Sequence, residues 1–251
     1  FLTSIQENAV KPIEPVFLDF KKDMSQLTAK SDIPVLYKQN TTNDLFQLIY
    51  VFDMGNNNDK ALGTAFDYLE YLGTSDMTPE ELKSEFYRLA CTFYVSPGNE
   101  RTYVVLSGLN ENMPAAMQLF EKLLADAQAN KEAYNNLVGD ILKARADAKL
   151  NQGQNFSRLM NYAMYGPKSP ATNLLTEAEL ASMNPQELVD RIHNQNNYKH
   201  RILYYGPSSS KDLLATIDQY HQVPATLKDI PAGNEFSYLE TPATKVLVAP
   251  Y

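Results

Sequence analysis

Two carboxylates, Asp67 and Glu70, stand about one helical turn apart inside the stretch LGTAFDYLEYLGT, from Leu62 to Thr74. Paired carboxylates on one face can do general acid–base work. Without a metal to lower the pKa of water, however, a lone Asp is a poor activator for amide hydrolysis. A polar helix face bordering a cavity is therefore the stronger reading of this pair. The histidines are His193, His200 and His221, so the first 192 positions contain none. No H-x-x-E-H, H-E-x-x-H or His–Cys zinc pattern can be written on this sequence. His193 and His221 fall toward the ends of predicted helices, where imidazole favours the negative end of the helix dipole, and both are expected as surface residues rather than ligands. Cys91 is the single cysteine and cannot form an internal disulfide. It opens an apolar strand, which points to a buried structural thiol. No G-x-S-x-G elbow occurs. Neither Gly-rich phosphate loop occurs, and with only 10 Gly in the chain no nucleotide cradle is expected.

Elements that could position such residues are legible from pattern. Ile33–Tyr37 (IPVLY), Leu45–Phe52 (LFQLIYVF), Cys91–Ser96 (CTFYVS), Arg101–Ser107 (RTYVVLS) and Ile202–Tyr205 are predicted strands, rich in β-branched and aromatic residues. Gly55-Asn56-Asn57-Asn58-Asp59 is a loop leading into the Leu62 helix. Thr78 with Glu81 forms a capping box with Pro79 at the first helical position, and Asn184-Pro185-Gln186-Glu187 repeats that grammar. Further helices are predicted over Asn112–Ala125, Lys131–Leu150, Asn155–Tyr165, Pro185 to about Asn194, and Lys211–Tyr220. Paired strands and runs of helices give an α+β class, a largely antiparallel sheet covered by helices on one face. The domain division is an N-terminal lead-in over residues 1–30, one domain over 31–222, and a tail over 223–251 that is a linker or the start of a next domain. Pro12, Pro15 and the polar run Thr28–Asp32 mark the lead-in as irregular; Pro224, Pro231, Pro242 and Pro250 mark the tail.

Composition narrows the function classes. The chain has 251 residues, 21% of them charged and 44% hydrophobic, which is ordinary for a globular protein with one sizeable core. A net charge of -8 argues against nucleic acid or an anionic membrane as partner. No apolar run reaches the length of a membrane span, and no signal peptide is read. The sequence opens on Phe1 rather than Met, so a processed product or an excised segment is expected.

The Leu62–Thr74 stretch resembles the active-site helix of the insulinase-like (M16) zinc metallopeptidases with its ligands removed. In that family the helix carries H-x-x-E-H and ends in an aromatic followed by x-Gly-Thr; Tyr71-Leu72-Gly73-Thr74 is similar to that ending. Counting back, Thr64 and Tyr68 stand where the two His would be, and Asp67 where the Glu base would be. The succession from Thr78 through Ala125, Tyr165-Gly166-Pro167, and the run YKHRILYYGP (Tyr198–Pro207) also resemble the family, so the likeness covers roughly Ile33 to Tyr220. The third zinc ligand would be a Glu on the helix Lys131–Leu150, yet no Glu follows Glu132 until Glu177, and the helix centre offers Asp140, Lys143, Arg145 and Asp147. A cation near the metal position would repel a divalent ion. All ligand positions fail together, which implies genuine loss rather than a shifted alignment.

The resemblance implies an M16-like (LuxS-like) fold, no metal in this segment, and zinc in the catalytic domain of a parent protein. In such proteins four homologous domains close like a clamshell around a peptide, and this chain is most similar to the degenerate domain before the last. Partners implied are a peptide substrate and other M16-like domains of the same chain or of a partner subunit. Strand addition to a sheet edge is the family's mode of peptide recognition, and it uses backbone rather than named side chains. The chain has 16 Tyr and no Trp, with Tyr50, Tyr68, Tyr71, Tyr87 and Tyr94 on elements that would line the chamber. Tyr68 and Tyr71 are the candidate peptide contacts, although packing is the stronger reading for these tyrosines as a group. Long M16 proteins are often exported in bacteria, so the periplasm or cell envelope is the expected compartment. The alternatives are a free-standing scaffold homologue and an unrelated α+β peptide-binding domain.

Overall fold

Strands of alternating burial build the sheet on which everything else is laid. The computed structural model describes residues 15 and 17–249; Pro12, most of the rest of the lead-in before residue 17, and Pro250 lie outside the described residues. The strands are β1 (Ser25–Ala29), β2 (Ile33–Gln39), β3 (Leu45–Phe52), β4 (Cys91–Pro97), β5 (Thr102–Leu109) and β6 (Arg201–Gly206). Their order across the sheet is β1-β2-β6-β3-β5-β4. β2 and β6 run parallel, and every other neighbouring pair is antiparallel. In β3 the buried residues Phe46, Leu48, Tyr50 and Phe52 share one face; Leu48 pairs with Leu106 on one side and Tyr204 on the other. That period of two is what a half-buried strand requires.

The helices are α1 (Phe20–Asp23), α2 (Leu62–Leu69), α3 (Pro79–Arg88), α4 (Met113–Asp126), α5 (Lys131–Lys149), α6 (Gln152–Tyr165), α7 (Glu177–Ser182), α8 (Pro185–Asn194) and α9 (Ser210–Tyr220). α2 packs on α8 and β4, while α4 packs on α8, α9 and β5. Their apolar faces and that of the sheet form one core, with Leu62, Phe66, Met117, Phe120, Leu188 and Ile217 at its centre. The α+β class and the helix-covered, largely antiparallel sheet are as the sequence predicts. Both predicted capping boxes form, Thr78 with Glu81 and Asn184 with Glu187.

Differences from expectation lie at the margins. Thr28 and Ala29 finish β1, so the sheet begins before residue 31. Polar residues suit this strand because, among the described residues, it is an edge paired with β2 alone. After it, Ser31 and Asp32 adopt positive φ (57° and 58°), and Lys30 N–H is held by Asp218 Oδ1 at 2.8 Å. The short helix α7 was not predicted, although its own capping box, Thr176 with Glu179, is present. Among the described residues the tail beyond Val223 carries no helix or named strand, and it lies on the domain. Asn58 Nδ2 donates to Pro231 O (2.8 Å), Asn234 N to Asn57 O (2.7 Å), and Leu239 N to Met164 O (2.7 Å).

The Tyr-Leu-Gly-Thr ending of the α2 segment has a structural job. Thr74 N–H bonds Met77 O (2.9 Å), and Gln128 N–H bonds Gly73 O (3.0 Å). A Cβ on Gly73 would overlap the Met77 carbonyl oxygen. The turn thus needs glycine for close backbone approach, whether or not a metal is near. Gly73→Ala is expected to cost about 2–4 kcal/mol, read as a lowered midpoint in chemical denaturation with an unchanged slope.

Candidate functional site

α2 places the degenerate motif residues in three different environments. Thr64 is half-buried, Asp67 is exposed, and Tyr68 has no accessible surface. The Tyr68 hydroxyl donates to Asn130 O (2.6 Å) and accepts from Asn130 N–H (2.8 Å). Asn130 is the N-cap of α5, its side-chain oxygen accepting from Ala133 N–H at 3.0 Å. The Tyr68 ring meets Tyr134 of α5 edge-on at 5.8 Å, and the Tyr134 hydroxyl donates to Leu180 O of α7. Two tyrosines therefore tie α2, α5 and α7 together. These residues do not fit a zinc ion: the site offers no imidazole, and its central hydroxyl is committed to backbone. Among the described residues, no three His, Cys, Asp or Glu side chains come together to hold a metal.

Burial also decides the aromatic candidates. Tyr68 is enclosed in the core and leaves no surface for a peptide, contrary to its candidacy from sequence. Tyr71 is 39% exposed and borders a cavity of about 340 Å³ with Gly73, Thr74 and Asn130. Partial desolvation, and then the charge of Glu70, push the Asp67 carboxyl above its ordinary pKa.

Among the described residues, β4 is the other edge of the sheet. Beside it lies an apolar groove of about 400 Å³, walled by Phe66 and Leu69 of α2, Leu82 and Phe86 of α3, Phe93 of β4, and Leu123 of α4. Tyr94 and Tyr87 stand exposed at its rim. Cys91, buried at the groove's end, has its thiol pushed up by desolvation, which suppresses the thiolate.

A buried polar chain, missed in the sequence, links α4 to β6 and α9. His200 Nδ1 faces Tyr198 O at 2.7 Å and must donate to it. His200 Nε2 meets His221 Nε2 at 2.8 Å, and His221 Nδ1 meets Glu121 Oε1 at 2.6 Å. Burial, then the neighbouring His221, push His200 down to about 4 against the pull of the Tyr198 carbonyl. His200 is therefore neutral, its Nε2 accepts, and His221 Nε2 donates. Glu121 also accepts from Tyr50 Oη (3.0 Å), Asn196 Nδ2 (2.9 Å) and Gln222 N (3.0 Å). Together with the His221 ring, these contacts place four partners on one buried carboxyl group. Burial and Glu121 hold the Tyr50 phenol well above the ordinary tyrosine range, keeping it a donor.

This corrects the expectation that His221 is a surface residue. It does cap the end of α9, but that end is covered, and His221 is 0% exposed. His193 is half-buried with Nε2 3.1 Å from Ala127 O. One signal was present in the sequence. Glu121 falls in phase with Met117 and Leu124 on the buried face of α4, and a carboxylate there needs buried partners.

Two outcomes follow for stability. Tyr68→Phe leaves the Asn130 N–H without its partner and should cost about 2 kcal/mol, lowering Tm by about 4–8 °C. His200 has a folded pKa below its unfolded value of 6.5, so the unfolded chain takes up this proton first as pH falls. Its contribution to stability is full above pH 6.5 and is lost progressively down to about 4, by on the order of 3 kcal/mol. Parallel denaturant titrations at several pH values should show a flatter acid slope in His200→Gln.

No protein-family model and no curated protein matches the sequence. Solved structures do match in fold. The periplasmic protease PqqL from Escherichia coli superposes with a TM-score of 0.75 at 15% identity, covering 88% of this chain and 25% of that one. The ferredoxin protease FusC, solved with Arabidopsis ferredoxin, gives 0.73 at 11% identity, covering 93% and 27%. A peptidase M16 inactive domain from Pseudomonas fluorescens gives 0.70 at 17% identity, covering 85% and 54%. The chain thus spans about a quarter of the first two structures and about half of the third. With its helix-covered, largely antiparallel sheet, the chain has the fold of these structures, the peptidase M16 inactive domain among them.

Proposed function

We propose that this chain is a non-catalytic M16-like domain of a longer zinc metallopeptidase, forming part of the wall that encloses a peptide. The observation that carries the reading is the substitution at the metal position: a tyrosine clamped to the α5 N-cap stands where the resemblance puts the second zinc histidine. Hydrolysis then belongs to another domain of the full-length protein, which would hold the zinc. The partial coverage of the matching structures supports a multidomain parent. On this reading residues 31–222, together with β1, form the domain, and residues 223–251 lead to a neighbouring domain.

Peptide contact is assigned to β4. An edge strand offers unpaired N–H and C=O groups to an extended chain, and alternate side chains of that chain can enter an adjacent groove. The apolar walls Phe66, Leu82, Phe86 and Phe93 favour hydrophobic side chains there. Tyr71, half a turn beyond the α2 segment's end, is the remaining aromatic candidate from the motif itself. The compartment assigned is the periplasm or cell envelope, supported by the periplasmic character of PqqL.

Amide-resolved NMR of the chain with an extended apolar peptide tests this reading. The account expects shifts confined to Thr92–Ser96 and the groove, and no cleavage of a quenched fluorescent peptide by the chain alone. Cleavage by the chain alone, or an unperturbed β4, would overturn it.

A further inference from the structure

A second cavity, of about 710 Å³, lies between the C-terminal half of α5, α6 and the segment 166–177. It shares no lining residue with the β4 groove. Arg145 and Lys149 reach it from α5, and Arg158 and Tyr162 from α6. Among the described residues none of these three cations has an ion-pair partner, and the Tyr162 hydroxyl makes no hydrogen bond. Arg145 is half-buried, so its unmet donors are not simply projected into bulk water. The only carboxylate on the lining is Glu177. In a chain of net charge -8, this cavity reverses the local sign.

We propose that this cavity binds an extended, acidic peptide segment. Arg145 and Lys149 are four residues apart on one helix, a rise of about 6 Å, as are Arg158 and Tyr162. Carboxylates at alternate positions of an extended chain repeat every ~6.6 Å. Acidic side chains at alternate positions therefore meet successive donors along α5 and α6. Leu142 and Leu174 on the lining give the intervening apolar side chains a wall. The volume lies within the roughly 300–1,000 Å³ usual for ligand sites, well beyond what a single small oxyanion fills. Arginine supplies the planar fork that pairs with carboxylate bidentately. This site stands apart from the β4 reading and does not depend on it.

The test is fluorescence anisotropy at low ionic strength with a labelled peptide of alternating Glu and Leu, and with its Gln counterpart. The Glu peptide should bind at least about tenfold more tightly than the Gln peptide, with affinity falling as salt is raised. Arg145→Glu and Arg158→Glu should each weaken binding by about tenfold or more, whereas Lys168→Glu, an exposed cation off the lining, should leave it near the starting value. Circular dichroism establishes that each variant is folded. Equal binding of the two peptides, or an equal loss in Lys168→Glu, would overturn the proposal. So would displacement by inorganic phosphate at matched charge concentration, because the site would then be one for small anions. None of these failures alters the NMR result expected at β4.

Discussion

The fold is organised around a hydroxyl that both gives and takes a hydrogen bond at one peptide unit. Tyr68, enclosed in the core, holds the N–H and C=O of Asn130 and so fixes where α5 starts relative to α2. The bridge is this phenol, the aromatic pair with Tyr134, and the Tyr134 hydroxyl on α7. A tyrosine is larger than histidine, fills the space with apolar ring, and satisfies its one polar atom on backbone, so neither cavity nor orphaned donor is left. Gly73 and Thr74 serve the turn to Met77, where only glycine admits the close backbone approach.

A second tie closes the opposite side of the domain. Glu121 of α4 gathers His221, Tyr50, Asn196 and the Gln222 N–H, so helix, sheet and the start of the tail converge on one carboxylate. A buried carboxyl group is tolerated when its lone pairs are met, as they are here. The tail then leaves this anchor, forms a parallel bridge between Lys228 and Tyr198, and runs past the Asn57–Asn58 loop to Met164, where Tyr238 stacks on Tyr165.

Much of this was legible in the sequence where a local rule has a local cause. β3 spans the predicted LFQLIYVF run, and the two predicted capping boxes form, because alternation and cap chemistry are decided within a few residues. What was not legible depended on distant partners. β1 is polar because it is an edge, and its place in the sheet is set by β2. Tyr68 passed for a surface candidate because helix phase does not reveal what covers a helix from the other side; α5 does. His221 passed for a helix-end surface residue because the element that buries it carries Glu121, 100 positions earlier. The cations Arg145, Lys149 and Arg158 were visible as residues, but only the α5–α6 arrangement brings them to one cavity.

The most direct measurement is the zinc content of the purified chain after dialysis against trace zinc, paired with its Tm before and after a strong chelator. The account predicts zinc near zero and a Tm that the chelator does not move, since hydrogen bonds hold α2 to α5. About one tightly bound zinc per chain, with a Tm that falls when it is removed, would contradict the claim that this domain keeps the peptidase scaffold without its metal.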